Sequence, residues 1–155
     1  MTTYRMIGAI AGAALGLTAL TVPASAQLRP GLADFNKASE SELAQLPGMT
    51  PALAKGVVEH RPFKSPLDLN KFLVDQKLTA DQVKALYGKA FVPINLNTGT
   101  KEEFMLIPGV GARMSAEFAE YRPWKTSAQF DKEIGKYVGQ QETDRLKQYV
   151  FIPAN

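Results

Sequence analysis

From Phe35 to Lys64 the chain alternates short helical runs with turn residues in a fixed order. Ser39-Glu40-Ser41-Glu42 opens a run carrying Leu43 and Leu46, and Pro47-Gly48 ends it. Thr50-Pro51 then opens a second run whose apolar positions Leu53, Val57 and Val58 make one stripe at i, i+4 and i+5. Arg61-Pro62-Phe63-Lys64 closes it. The same order returns 61 residues later. Thr100-Lys101-Glu102-Glu103 opens the first run, Pro108-Gly109 ends it, Met114, Phe118 and Ala119 form the stripe, and Arg122-Pro123-Trp124-Lys125 closes it. Asn36 maps onto Asn97. A pattern repeated at a fixed period marks a duplicated supersecondary unit.

The polar residues at the run starts predict where the helices begin. Ser39 with Glu42, and Thr100 with Glu103, have the spacing of a capping box, in which the hydroxyl caps the third helical amide and the carboxylate reaches back. These boxes predict helices near 40–46 and 101–107. Thr50 is placed to cap the next helix, with Pro51 at the favoured first position. Gly111 stands where Thr50 stands in the first copy. Each second helix must stop before Pro62 or Pro123, because the residue before proline avoids the α region. Further helices are expected near 66–74, 80–89 (opened by a Thr79–Gln82 box), 127–137 and 141–149. No strand alternation of useful length appears. The predicted class is all-α: two tandem subdomains of about four short helices each, over residues 34–93 and 94–153.

Residues 1–26 read as a signal peptide preceding these units. Arg5 supplies a positive start, Met6–Leu20 is apolar, and Ala24-Ser25-Ala26 is a small-x-small cleavage site before Gln27. The apolar run is shorter than the roughly 18–20 residues of a spanning helix. This predicts a periplasmic or secreted protein with no transmembrane anchor after cleavage. With no cysteine in the sequence, neither a lipid-modified cysteine, a disulfide nor thiolate zinc ligation is expected.

Charge does not select a partner. The formal net charge is +3, and +2 once Arg5 is set aside with the leader. Residues 27–93 hold 9 basic and 7 acidic side chains, and 94–155 hold 8 of each. Neither unit is a polycation, so any contact with nucleic acid must come from local placement. His60 has Tyr121 as its repeat partner and no companion ligand, so no metal or other cofactor is expected. Glu102-Glu103 is explained by capping. No nucleophile–base pair or nucleotide loop appears, and no enzymatic activity or small-molecule substrate is expected.

The turn between the paired helices is the candidate site. A Gly-x-Gly turn ahead of a helix lets backbone approach a phosphate with no Cβ in the way, and the free amides and dipole of the first turn favour an anion. In the second copy Gly109, Val110, Gly111 and Arg113 are the candidates. In the first they are Gly48, Met49, Thr50 and Lys55, although Pro51 has no amide to offer. The same turns also serve as tight helix joints. Arg61 and Arg122 are expected to satisfy carbonyls at helix C-termini. Phe63 and Trp124 are expected to plug the core. Asn36 and Asn97 are expected to bond locally in the turn before the box.

Leu46-Pro47-Gly48-Met49-Thr50 and Ile107-Pro108-Gly109-Val110-Gly111, each followed by a striped helix ending in arginine, resemble helix-hairpin-helix motifs. With the lead-ins Asp34-Phe35-Asn36 and Asn95-Leu96-Asn97, most of 34–153 resembles the ComEA-type competence domain. Val74-Asp75-Gln76-Lys77 and Val138-Gly139-Gln140-Gln141 stand where that family has a second Gly-x-Gly hairpin. The resemblance implies an exported, non-catalytic protein that binds double-stranded DNA weakly and without sequence specificity, in DNA uptake. The stretch from Pro47 to Ala54, followed by Pro62-Phe63-Lys64-Ser65, is similar also to PsbU-type subunits. That likeness implies the alternative: a periplasmic interaction or scaffold module that docks on an envelope protein and binds no DNA.

Overall fold

The computed structural model describes residues 31–154. The signal peptide expected over 1–26 lies outside the described residues. Each repeat folds as four helices held between two very short strands. The first unit runs β1 (Ala33–Asp34), α1 (Glu40–Ala44), α2 (Pro51–His60), α3 (Pro66–Asp75), α4 (Ala80–Tyr87) and β2 (Ala90–Phe91). The second runs β3 (Ile94–Asn95), α5 (Lys101–Met105), α6 (Ala112–Glu120), α7 (Ser127–Val138), α8 (Gln140–Leu146) and β4 (Val150–Phe151). The class is all-α, as the pattern predicts.

The three capping boxes form. Backbone N–H of Ser39, Thr100 and Thr79 donates to Glu42, Glu103 and Gln82 at 2.7, 2.8 and 2.8 Å, and each hydroxyl accepts from the third helical amide. α1 and α5 end two residues earlier than expected, because Gln45 and Leu106 turn back onto i−3 carbonyls before the Pro-Gly.

The strands are an addition to the expected picture. β1 pairs parallel with β2, Ala33 opposite Ala90, and β3 with β4, Ile94 opposite Val150. Each ladder ties the start of a unit to its end. A two-residue strand has too few positions to show alternation, so the pattern gave no sign of it.

Two duplicated locks hold the lead-in of each unit to the loop after its second helix. The Asn36 side chain exchanges two hydrogen bonds with the backbone of Phe63, and that of Asn97 does the same with Trp124. Both reach across 27 residues, not into the local turn as expected; the local bonds are made by the Asp34 carboxylate and the Asn95 amide oxygen, which accept from the backbone amides of Asn36 and Asn97. The second lock corrects the arginine expectation. Arg61 donates to Phe35 O at 2.6 Å and Ala38 O at 2.5 Å, and Arg122 to Leu96 O at 2.7 Å and Gly99 O. These carbonyls belong to the lead-in loops, not to the helix that carries the arginine. Both Arg-Pro bonds are cis.

Phe63 and Trp124 plug the core as expected, and the Trp124 ring N–H donates to Phe118 O at 2.8 Å. The apolar stripe of α2 and α6 sits one position from the predicted centre. Ala54 with Val57, and Ser115 with Phe118, are fully buried, while Leu53 and Met114 lie half-buried beside them. Ser115 satisfies its hydroxyl on Ala112 O. The two units share one core: the Tyr149 ring lies 5.1 Å from that of Phe91, its hydroxyl donates to Tyr87 O at 3.0 Å, and α3 packs on α5.

Candidate nucleic-acid interface

The two hairpins share a backbone course and differ in what they leave free. Gly48 and Gly109 take φ of +75° and +85°, the left-handed region that favours glycine. The following residue turns inward in both. Met49 and Val110 are each 8 % exposed, and their amides donate to Leu46 O at 3.1 Å and Ile107 O at 3.0 Å. Their side chains belong to the core and their amides to the turn. Of the eight candidate residues, these two therefore have neither group free for an outside phosphate.

The next position separates the copies. Thr50 caps α2, its hydroxyl accepting from Leu53 N at 3.2 Å, and Pro51 has no N–H, which leaves Ala52 in that first turn. Gly111 makes no side-chain cap on α6, whose first helical bond is Ser115 N to Gly111 O at 3.0 Å. The amides of Ala112, Arg113 and Met114 precede that bond and have no partner within the helix. Gly111 itself is extended, at φ −102°, and a Cβ there would meet nothing within 4 Å. Neither its conformation nor its surroundings require a glycine. What glycine supplies at this point is open access to the helix start from outside.

The charged neighbours differ as well. Arg113 is exposed in the first turn of α6. Lys55 is exposed a full turn into α2, and its ammonium lies 3.7 Å from Glu59. The structure thus brings Gly109, Gly111 and Arg113 together at one accessible helix start. The first copy offers Gly48 and a self-capped Thr50, with Lys55 set back and paired.

One residue of the second site escaped the sequence reading. Arg145 on α8 donates to Pro108 O at 2.7 Å and makes two bonds with Glu142, at 2.7 and 2.6 Å. The Glu142 carboxylate raises the Arg145 pKa, and Arg145 in turn lowers that of Glu142. This pair fixes the Pro108-Gly109 turn from behind. At Gly48 the neighbour is Gln82. The later half of the repeat slips by one residue, so superposing the copies in sequence does not bring Arg145 to the hairpin.

Beside Gly111 and Arg113, a cavity of about 280 Å³ runs to Glu117, Tyr137 and Val138. Glu117 Oε2 is buried there without a hydrogen-bond partner. The Tyr137 hydroxyl lies 3.0 Å from that of Tyr121, and Lys136 donates to Tyr121 at 2.7 Å. The hydrogen bond with Tyr121, then desolvation and Glu117, push Tyr137 up to about 12. Positive and negative groups are therefore interleaved around the second hairpin. His60 packs its ring on Phe72 and Phe63, at 4.9 and 5.5 Å. Among the described residues no helix is long and apolar enough to cross a membrane.

Residues 31–85 match the helix-hairpin-helix motif family. The first repeat carries that motif. The match falls on the copy with the Thr50-Pro51 turn, and the second repeat reproduces its backbone course. No curated protein and no solved structure matches the chain.

Proposed function

We propose that this is an exported, non-catalytic protein that binds double-stranded DNA weakly and without sequence preference, through its phosphate backbone, in the manner of DNA-uptake proteins. The motif is generally associated with nucleic-acid binding. The observation that carries the reading here is Gly111: a glycine the fold does not need, at an uncapped helix start with Arg113 in its first turn. Backbone amides and a dipole recognise phosphate and not base edges, so the contact holds register without reading sequence. Export rests on the reading of residues 1–26.

The test is binding of the purified protein to a short labelled duplex across a salt series. Each phosphate neutralised by a cation such as Arg113 steepens the fall of log K against log salt by roughly 0.9. Gly111→Glu places a carboxylate at the helix start in open space, so it removes binding while the fold survives. Unchanged binding in a folded Gly111→Glu protein excludes the hairpin; no binding at low salt excludes DNA altogether.

The first hairpin favours the second reading. With Thr50 capping and Pro51 lacking an amide, that turn is better suited to joining helices in a module that docks on an envelope protein. Absence of DNA binding by the folded protein would move the whole chain to that reading.

A further inference from the structure

One polar face belongs to the second copy alone. Arg113, Glu117 and Tyr121 follow at i, i+4 and i+8 and share one side of α6. Their repeat partners on the first copy are Ala52, Gly56 and His60, and the partner of Tyr137 is Gln76. In the first unit Phe72 closes this side, 3.5 Å from where a Gly56 Cβ would stand and 4.9 Å from the His60 ring. In the second, Glu133 takes the place of Phe72 and bonds Lys136 at 2.8 Å, and the cavity of about 280 Å³ beside Gly111 stays open.

The fold therefore does not need a carboxylate here, yet Glu117 Oε2 is buried with no hydrogen-bond partner. Such an atom costs stability until something supplies a donor. The donors around it bond to other groups: Lys136 to Glu133 and Tyr121, and the hydroxyls of Tyr121 and Tyr137 to each other at 3.0 Å. An ionised carboxylate only accepts, so the occupant must bring N–H or O–H groups to Glu117. Lys136 already lies over the Tyr121 and Tyr137 rings, at 4.4 and 5.2 Å, which disfavours a simple cation. At the other end of the cavity stand Arg113 and the free amides of α6, which favour an anion. Tyr137 supplies an aromatic wall between the two ends.

An anion at one end, a flat ring along a tyrosine and donors at the far end describe a nucleotide. The volume is at the small end of ligand pockets, which begin near 300 Å³. Guanine is the base whose pairing edge sets two donors, N1–H and the N2 amino group, side by side for a carboxylate. The other bases place an acceptor next to their donor. Inside a duplex that edge is taken by the partner strand, so the base must be unpaired.

We infer that the cavity binds an unpaired guanine nucleotide, with its phosphate at Gly111 and Arg113, its base along Tyr137, and its N1–H and N2 amino group on Glu117. The inference rests on the phosphate reading of this hairpin for its anion end and adds a base pocket to it. A duplex offers such a base only where a strand is single, so the protein favours ends that carry one.

Competition binding at low salt tests it, with a blunt duplex, the same duplex with a thymine overhang, and one whose thymine overhang holds a single guanine. The guanine overhang should bind about tenfold more tightly than the all-thymine one. Glu117→Gln keeps the size of the side chain and should erase that difference while blunt-duplex binding stays as it was. Tyr137→Ala should erase it too, and Tyr137→Phe should keep it. Circular dichroism checks that each variant is folded. Deoxyguanosine monophosphate as competitor separates the two sources of the ligand: displacement at concentrations similar to the strand makes it the free nucleotide, and weak displacement makes it the strand end. Equal binding of the two overhangs, or a guanine preference that survives Glu117→Gln, overturns the inference and leaves the hairpin reading standing. A guanine preference without blunt-duplex binding keeps the pocket and strikes the duplex reading. No binding of any strand or of the mononucleotide overturns both.

Discussion

Asn36 and Phe63 hold each other by two hydrogen bonds: the Asn36 amide nitrogen donates to Phe63 O at 2.9 Å, and Phe63 N donates to Asn36 Oδ1 at 2.8 Å. Asn97 and Trp124 repeat this at 2.9 and 2.6 Å. A primary amide donates from its nitrogen and accepts at its oxygen in one plane, whereas an ionised carboxylate only accepts. Asn36→Asp and Asn97→Asp each lose the donor and set a carboxylate against a carbonyl. Each should lower stability by about 1–3 kcal/mol, the cost of unsatisfied partly buried groups. A urea melt checks it: the midpoint moves while the slope stays the same.

The guanidinium fork of Arg61 bridges two carbonyls, Phe35 O and Ala38 O, as that of Arg122 bridges Leu96 O and Gly99 O. A lysine ammonium is a point donor on a flexible stem and does not span two fixed acceptors in one plane. Arg61→Lys and Arg122→Lys should therefore each destabilise by about 1–2 kcal/mol although charge is kept. Thermal melts in low and high salt separate the causes. A loss that persists in high salt is geometric, and a lysine variant as stable as the parent would show that charge alone is used.

The glycines of the second hairpin should respond in opposite ways. Gly109 sits at φ +85°, with Arg145 3.4 Å from where a Cβ would stand. Gly109→Ala should cost about 1 kcal/mol or more from its backbone conformation alone. Gly111→Ala meets no atom within 4 Å and keeps an ordinary extended φ, so its melting temperature should stay near that of the parent or rise slightly. Equal losses at both positions would mean that Gly111 has a role in the fold.

What the sequence shows and what it hides divides by distance along the chain. Ser39 and Glu42 lie within one helical turn, so their residue types alone specify the bond they make. Phe63 and Trp124 are large apolar residues straight after a helix and have nowhere to go but inward. Asn36 and Arg61 looked local because their partners lie 27 and 26 residues away, and nothing in a single sequence marks a carbonyl as waiting. Val110 looked available because its flanking glycines suggest an open turn. Its own side chain decides otherwise, being an apolar group that the turn points into the core. Arg145 reaches Pro108 over 37 residues, from the half of the repeat where the register has slipped.

Arg113 and Lys55 settle whether one hairpin or two would contact DNA. Arg113 stands in the first turn of an uncapped helix, while Lys55 is further along α2, beside Glu59, on a helix whose start is closed by Thr50 and Pro51. Both are exposed, so neither alanine variant should change stability by more than about 0.5 kcal/mol. Under the phosphate reading, Arg113→Ala should weaken duplex binding and flatten the salt slope by about 0.9, the signature of one lost contact. Lys55→Ala should leave both unchanged. Equal effects from the two variants would restore the first hairpin as a binding site and show that the Thr50 cap opens when DNA arrives. Loss of affinity in Arg113→Ala with an unchanged slope would mean that the arginine positions the hairpin and does not itself meet a phosphate.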